Sequence, residues 1–409
     1  MRSVQLTPSD YDVAIVGGGL AGATLARSLA GNGLRALVIE RVLAFKDRVR
    51  GEGMLPWGRA EATALGIDDL LDTAGAVEIR YWKRYIGGAP RDCRDLIETT
   101  PGRQGCLDFY HPAMQRQLLD AAEAAGAHVR RGVEFTAVEC GSPATLRMRG
   151  AHGEERVTAR LVVGADGRCS KVRTSAGFTV KRDEHSLMIA GVLHEGLKLP
   201  GDTVQYVQNP AEGRAALVFP LGKERFRSYF VYSSKNAPRT MSGNGHAGDF
   251  VTSCIETGAP AEWYENAEAA GPLAAYPGAD TWVAHPYRDG VVLIGDAAAA
   301  SNPAWGCGLA LTLRDVRVLR DHLLANDQWD QAARAYAREH DAYYAELHRV
   351  QSWFTLLMYE TGPAADARRS HVFPNLAKDP ARAPDMLALG PDTPSDEAAR
   401  RRFFAEDVV

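Results

Sequence analysis

Asp12-Val13-Ala14-Ile15-Val16-Gly17-Gly18-Gly19-Leu20-Ala21-Gly22 is the stretch on which the reading of this chain turns. The short apolar run Asp12–Val16 predicts a strand, and a helical pattern follows from about Ala21 to Asn32. Leu34 to Ile39 reads as a second strand ending at Glu40. Together they predict a βαβ unit of about thirty residues with Gly17-x-Gly19-x-x-Gly22 at its first turn. In such a unit Gly17 allows the tight turn, Gly19 lets a pyrophosphate approach the backbone, and Gly22 lets helix pack on strand. Leu20 and Ala21 open the helix, whose free amides attract an anion. Glu40, followed by Arg41, stands where an acid accepts hydrogen bonds from a ribose. The expectation is a bound dinucleotide; a glycine-rich turn without a ligand is the plainer alternative.

Working outward, Arg59–Thr73 reads as helical and Gly75–Phe109 as irregular, broken by Gly87-Gly88, Pro90 and Pro101-Gly102. Pro112–Gly126 predicts a helix, and Ala127–Arg131 and Glu134–Glu139 predict strands. Leu161-Val162-Val163 is a buried strand entering Gly164-Ala165-Asp166-Gly167-Arg168, and Val291–Ile294 is another entering Gly295-Asp296-Ala297-Ala298. Each places a carboxylate at the carboxyl end of a strand, where open α/β sheets bind ligands. Between them, Leu187–Leu193, Thr203–Val207, Ala215–Phe219 and Arg225–Tyr232 predict an antiparallel sheet walling a substrate chamber. Asn236–Gly248 reads as a mobile surface loop. Ala310–Leu324 and Gln331–Tyr359 predict helices, and the tail after Gly362 carries prolines and Arg400-Arg401-Arg402.

Composition bounds the function. The chain has 409 residues, 45% of them hydrophobic and 24% charged, as in an ordinary globular protein. A net charge of -4 argues against a nucleic-acid partner. No run approaches the roughly 20 apolar residues of a membrane span, and the polar N-terminus does not read as a signal peptide. Six scattered cysteines suit reduced thiols, so a cytoplasmic location and no metal site are expected.

The order Gly-x-Gly-x-x-Gly, Gly-Ala-Asp-Gly, then Gly-Asp-Ala-Ala with Pro303-Ala304-Trp305-Gly306-Cys307-Gly308 downstream resembles the FAD-dependent aromatic hydroxylases. These are the group A flavoprotein monooxygenases typified by para-hydroxybenzoate hydroxylase. The resemblance spans roughly Asp12 to Leu324. It implies an α/β fold, with a Rossmann-like FAD-binding domain interleaved with an antiparallel substrate sheet, and C-terminal helices. Residues 1–75, 105–180 and 280–330 would form the FAD-binding domain, 76–104 and 181–279 the substrate domain, and 331–409 the helices and tail.

The same resemblance implies roles. Asp166 and Gly167 would lie near the FAD pyrophosphate, and Asp296 at the ribityl or pyrophosphate part. Pro303, Gly306, Cys307, Gly308 and Leu309 would border the isoalloxazine, where small residues let backbone amides reach the ring. Arg48 and Arg50 match basic residues near the cofactor, with surface charges as the plainer reading. His111 stands where the family often has Arg or Gln, Ala299 where it has His, and Ala310 where it has Asn.

The expected activity is hydroxylation of an aromatic or electron-rich small molecule by a flavin hydroperoxide, with O₂, and NADPH or NADH as transient reductant. No catalytic side chain is named, because the cofactor carries the chemistry. Trp57, Tyr206 and Trp305 are the candidate substrate contacts, with His185, His194 and Arg214 as further polar candidates on the chamber strands. Related alternatives share the fold. Gly51-Glu52-Gly53-Met54-Leu55-Pro56 matches a segment of flavin-dependent halogenases, but Trp82-Lys83 does not reproduce their Trp-x-Trp-x-Ile-Pro motif. A monooxygenase fed by a separate flavin reductase, an isoprenoid-type reductase and a non-enzymatic flavoprotein are the other readings.

Overall fold

The computed structural model describes residues 9–184, 187–234 and 241–408. Strand β1 (Tyr11–Val16), helix α1 (Leu20–Ala30) and strand β2 (Ala36–Glu40) form the expected βαβ unit. β1 pairs in parallel with β2 and with Gly153–Gly164, and that strand pairs in parallel with Val291–Leu293. His128–Arg131 extends the parallel set beside β2. Three strand ends therefore point to one edge: Gly17 after β1, Ala165–Gly167 after the second, and Gly295–Ala297 after the third. Parallel strands covered on both faces read as apolar runs, which is why these were visible in the sequence.

A second eight-stranded sheet runs in the order 268–269, 187–195, 225–233, 214–220, 203–209, 81–86, 89–95, with 274–277 paired beside 187–195. Its pairings are antiparallel except that Thr203–Asn209 lies parallel to Tyr81–Ile86. Both faces are covered. Ile189, Leu217, Phe219, Tyr229 and Val231 face one apolar cluster, while Ala190, Val192, Val218 and Phe230 face another.

Three sequence expectations change. The stretch 75–109 is not irregular: Tyr81–Ile86 and Ala89–Asp95 form a hairpin. Gly87 and Gly88 are its two-residue turn, with φ of +57° and +81°, the left-handed pair that such turns require. Pro90 is tolerated because Ala89–Asp95 is an edge strand. The helix expected over Arg59–Thr73 is two, Pro56–Leu65 and Asp68–Thr73, broken by left-handed Gly66. Of the loop expected at 236–248, residues 236–240 lie outside the described residues. The remainder holds a short turn, Asn244–His246, and the start of the helix Ala247–Thr257.

The C-terminal third is helical. Gly308–Ala325 and the thirty-residue Trp329–Met358 pack together, followed by Pro363–Lys378, Met386–Leu389 and Glu397–Phe403. None of the described helices is long and apolar enough to cross a membrane.

Candidate active site

The strand ends converge on one cavity of about 1830 Å³. That exceeds the roughly 300–1,000 Å³ of a pocket for one drug-sized ligand, so it has room for two molecules.

At one end lies the glycine turn. Gly17 has φ +106°, and a Cβ there would sit 2.4 Å from the carbonyl oxygen of Ala165. A Cβ on Gly22 would lie 2.0 Å from the carbonyl oxygen of Gly17, so helix and turn touch backbone to backbone. α1 starts from Gly19 with no side-chain cap and no acid in its first turn. Its free amides, beside Gly17, Gly19, Leu20 and Ala21 on the cavity wall, suit a phosphate. Glu40 receives the Gly18 amide at 2.8 Å and the Val42 amide at 3.0 Å, which sets the turn while the side chain borders the cavity with Arg41.

Arg48 and Arg50 line the same wall and make no ion pair among the described residues. Desolvation and the neighbouring Arg48 lower the Arg50 pKa, with Asp296 acting against them. An anionic ligand between these arginines would relieve that cost. His111, at the start of the helix His111–Ala124, is buried with its Nδ1 unpartnered. Burial, then Arg50, pushes its pKa down to about 3, so it is neutral at physiological pH.

Asp166 borders the cavity, but its carboxylate is engaged. It takes the Ser170 hydroxyl at 2.5 Å and the Lys171 amide at 2.6 Å, capping the helix Lys171–Ser175. Gly167, half-buried at φ +80°, has open space beside its backbone on the cavity wall. Asp296 lies opposite, its pKa raised by burial and opposed by Arg168 and Arg50.

The loop 302–308 forms the middle of the wall. Asn302 Oδ1 accepts the Ala304 amide at 3.1 Å, and buried Asp280 accepts the Asn302 amide at 3.0 Å. Pro303, Gly306, Gly308 and Leu309 border the cavity, and the helix Gly308–Ala325 begins there without a side-chain cap. Cys307 does not border it: it is fully buried, 3.5 Å from the Trp305 carbonyl oxygen, and burial pushes its thiol up to about 12.

At the other end the wall is aromatic. Tyr206 and Trp305, both expected, border the cavity with Trp82, Phe219, Tyr229 and Tyr276. Tyr206 and Tyr359 hydroxyls meet at 3.3 Å, and the Trp305 indole donates to Thr355 Oγ1 at 3.1 Å. Other candidates lie elsewhere. Trp57 is core, with Gly390 packed so closely that a Cβ there would be 2.5 Å from the indole. His194 faces the opposite side of the sheet, bonded to Ser228 Oγ at 3.0 Å and packed by Phe250 and Tyr264. Arg214 pairs with Glu212 at 2.8 Å and is not on the wall. His185 lies outside the described residues.

Behind Phe219 and Gly53 sits a charged cluster. Fully buried Arg227 donates to Glu52 at 2.7 Å and to Asp47 at 2.7 Å, and Glu52 also accepts the His111 amide at 3.0 Å. Burial disfavours the Arg227 charge, but Glu52 outweighs it and holds the guanidinium protonated. Asp108, buried with both oxygens unpartnered, has its pKa raised well above normal by burial and then by Glu52. Tyr229 donates to the Arg50 carbonyl. The antiparallel sheet thus holds the segment that carries Arg48 and Arg50.

Sequence reasoning missed Trp82 as a wall residue, Phe219, Tyr229, Tyr276, Arg168 and the C-terminal wall from Phe354 to Arg402. Alternation was the available signal for the sheet residues: Phe219 and Leu217 share a parity, as do Tyr229 and Val231.

The glycine turn, the uncapped helix ends, the arginines without ion pairs among the described residues and the cavity volume all fit an FAD. Comparison with known proteins agrees. Residues 10–353 match the family described as FAD binding domain. Squalene monooxygenase SE2 of Panax ginseng is 27% identical over 329 residues, 78% of this chain and 59% of that protein. Aklavinone 12-hydroxylase DnrF of Streptomyces peucetius subsp. caesius is 29% identical over 337 residues, 74% of this chain and 65% of that protein. The chain thus spans less than two thirds of the length of either relative. The p-nitrophenol 4-monooxygenase PnpA of Pseudomonas putida DLL-E4 shares the fold, with TM-score 0.76, 19% identity and 97% of each chain covered. So does PqsL of P. aeruginosa in complex with 2-aminobenzoylacetate, with TM-score 0.71, 19% identity, and 86% of this chain and 97% of that one covered. The expectation drawn from the three motifs is met: the chain belongs to the FAD binding domain family.

Proposed function

We propose that this protein is an FAD-dependent monooxygenase that hydroxylates an aromatic or similarly electron-rich small molecule, using O₂ and NADPH or NADH. One observation carries the reading: a single cavity runs from the glycine turn, past the small-residue loop 302–308, into an aromatic-walled chamber. When bound, FAD would supply the redox chemistry, accepting reducing equivalents and passing oxygen to the substrate.

The chain's own residues would bind, orient and exclude water. Gly17, Gly19, the start of α1, Arg48 and Arg50 would hold the pyrophosphate, and Glu40 a ribose. Free amides at Gly308 and Leu309 would face the ring's electron-rich edge. Trp82, Phe219, Tyr229 and Trp305 would clamp a flat substrate and keep water away. Burial raises the Tyr206 pKa, so its phenol would remain a neutral hydrogen-bonding group. The relatives' names support the class, since both an aklavinone hydroxylase and squalene monooxygenases are among them.

The test is anaerobic mixing of the FAD-loaded protein with NADPH or NADH while the flavin absorption is followed. Bleaching, accelerated by an aromatic compound, is the expected result. FAD that neither nicotinamide bleaches would point to a separate reductase as the source of electrons.

A further inference from the structure

Asp280 does not border the cavity, yet it is tied to the loop that does. It precedes the strand Thr281–Val283, which lies between Val180–Arg182 and Ala299–Ala300 in a small three-stranded sheet. That sheet brings three titratable groups together. Asp183 follows the first strand, and its amide donates to the Asp280 carbonyl oxygen at 3.1 Å. His348, on the long helix Trp329–Met358, meets Asp183 through Nε2 at 2.9 Å. One nitrogen of His348 and one carboxylate oxygen from each aspartate lie within 4.8 Å of one another.

The three differ in burial. Asp280 is 4% exposed, whereas the side chains of His348 and Asp183 are 26% and 35% exposed. On the inner side, Asp280 Oδ1 accepts the Asn302 amide at 3.0 Å, and Asn302 Oδ1 accepts the Ala304 amide at 3.1 Å. The turn that puts Pro303, Ala304 and Gly306 on the cavity wall thus starts from one buried carboxylate. Its other neighbours are Tyr344, whose hydroxyl donates to Oδ1 at 3.4 Å, Arg168, which also donates to the Ser301 carbonyl oxygen at 3.4 Å, and Cys307. His348 is held between Trp282, with ring centroids 4.8 Å apart, and Tyr344, stacked at 5.7 Å. Burial raises the Asp280 pKa to about 6, with His348 acting against it. Burial also disfavours the His348 charge, but the bond to Asp183 outweighs it and raises the imidazole pKa. Groups this close titrate as one set, and an ionised carboxylate holds an amide more tightly than a neutral acid does.

We propose that Asp280 is a positioning residue for the loop 302–308, and that the half-exposed pair His348–Asp183 sets the charge with which it holds that loop. When Asp280 is ionised, it grips the Asn302 amide and orders the turn. When it is protonated, the grip weakens and the turn loosens. A protonated His348 favours the ionised state, so the pair carries the pH of the solvent to the cavity wall. That this loop borders the isoalloxazine rests on the function proposed above, whereas the link from His348 through Asp280 to the loop does not.

The experiment follows amide hydrogen exchange in the FAD-loaded protein from about pH 5 to about pH 8, with EDTA present so that no cation takes the place of a proton. Peptides covering Ser301–Gly306 are read and corrected for the intrinsic change of exchange rate with pH. Their protection is expected to rise about tenfold as a neutral hydrogen bond becomes a charged one, with a midpoint at about pH 6. In Asp280→Asn, which keeps an acceptor but does not ionise, the rise should vanish while flavin content is retained. In His348→Gln, which removes the neighbouring positive charge, the midpoint should move up by about one pH unit. Protection that stays level across the range in the wild type, a rise that survives Asp280→Asn, or a midpoint that His348→Gln leaves in place would each overturn the proposal. The visible flavin absorption of the same samples tests the other reading separately. Protection that rises while the absorption stays constant would support the link and place the loop away from the flavin ring.

Discussion

At the scale of single residues, the glycine turn is the tightest constraint in the molecule. Gly22→Ala would place a Cβ 2.0 Å from the Gly17 carbonyl oxygen, and backbone must move to admit it. The expected outcome is loss of most bound FAD and about 1–3 kcal/mol of stability, read from flavin content and urea unfolding. Retention of full flavin content would show that the turn does not hold the cofactor. Buried histidines set an acid limit. Burial pushes His111 down to about 3 and His194 to about 4, so the folded chain refuses protons that the unfolded chain accepts below about pH 6.5. Their stabilisation is present above that pH and is lost as pH falls toward their folded values. Asp280 acts oppositely: burial raises it to about 6, so the proton it keeps stabilises the fold below about pH 4, an effect lost as pH rises through 6. Asp108 and Asp296, which burial also raises, act in the same direction as Asp280, so the histidine contribution is read from the difference between the FAD-free wild type and a variant between about pH 6.5 and 4.5. His194→Asn should reduce the slope by up to about 1.4 kcal/mol per pH unit. An unchanged slope in urea titrations would contradict the assignment of His194 as buried and neutral.

At the scale of elements, the loop after Val291–Leu293 depends on helices far along the chain. Fully buried Asp315, on Gly308–Ala325, accepts the Gly295 amide at 2.7 Å and contacts His340 Nδ1 at 3.0 Å on the long helix. Tyr343 donates to the same carboxylate. Asp315→Ala leaves those donors unanswered and should cost about 3–5 kcal/mol, with weaker FAD binding because Asp296 shares the loop. Thermal unfolding and flavin release measure both, and a loss below about 1 kcal/mol would contradict the role. This tie was not legible in the sequence: Asp315 sits in an ordinary helical pattern, and its partners are 20 to 28 positions away. The glycine turn was legible because strand, helix, second strand and terminal acid are consecutive. The substrate sheet was legible as strands but not as faces. Its two covered sides turn an alternating pattern into continuous apolar runs, so the pattern alone does not tell that His194, a candidate weighed against an ordinary sheet residue, faces away from the chamber. Gly87-Gly88 was read as a breaker because a hairpin turn and an irregular loop use the same residues.

At the scale of the whole molecule, motifs pointed to the cavity wall proposed to hold FAD, and distance along the chain hid what closes the other end. The C-terminal wall carries no motif, since a chamber surface needs only shape and apolarity, and those vary freely on a common fold. Its proline-rich connections and basic run identify nothing until Arg94 and Asp385, 291 positions apart, are seen in contact. If the proposed activity holds, Asp385→Asn should loosen this C-terminal wall, raising KM for an aromatic substrate more than it lowers kcat, with flavin content unchanged. An equal fall in kcat and kcat/KM would instead assign the pair to the chemical step.

In the proposed function, one continuous cavity lets reduced FAD pass an oxygen atom from O₂ to a bound aromatic molecule. The most direct measurement supplies heavy-isotope dioxygen to the NADPH-reduced protein with any aromatic compound that speeds its reduction, and weighs the product by mass spectrometry. The expected result is an aromatic product carrying one labelled oxygen. An unmodified aromatic, with all of the label recovered in hydrogen peroxide, would contradict it.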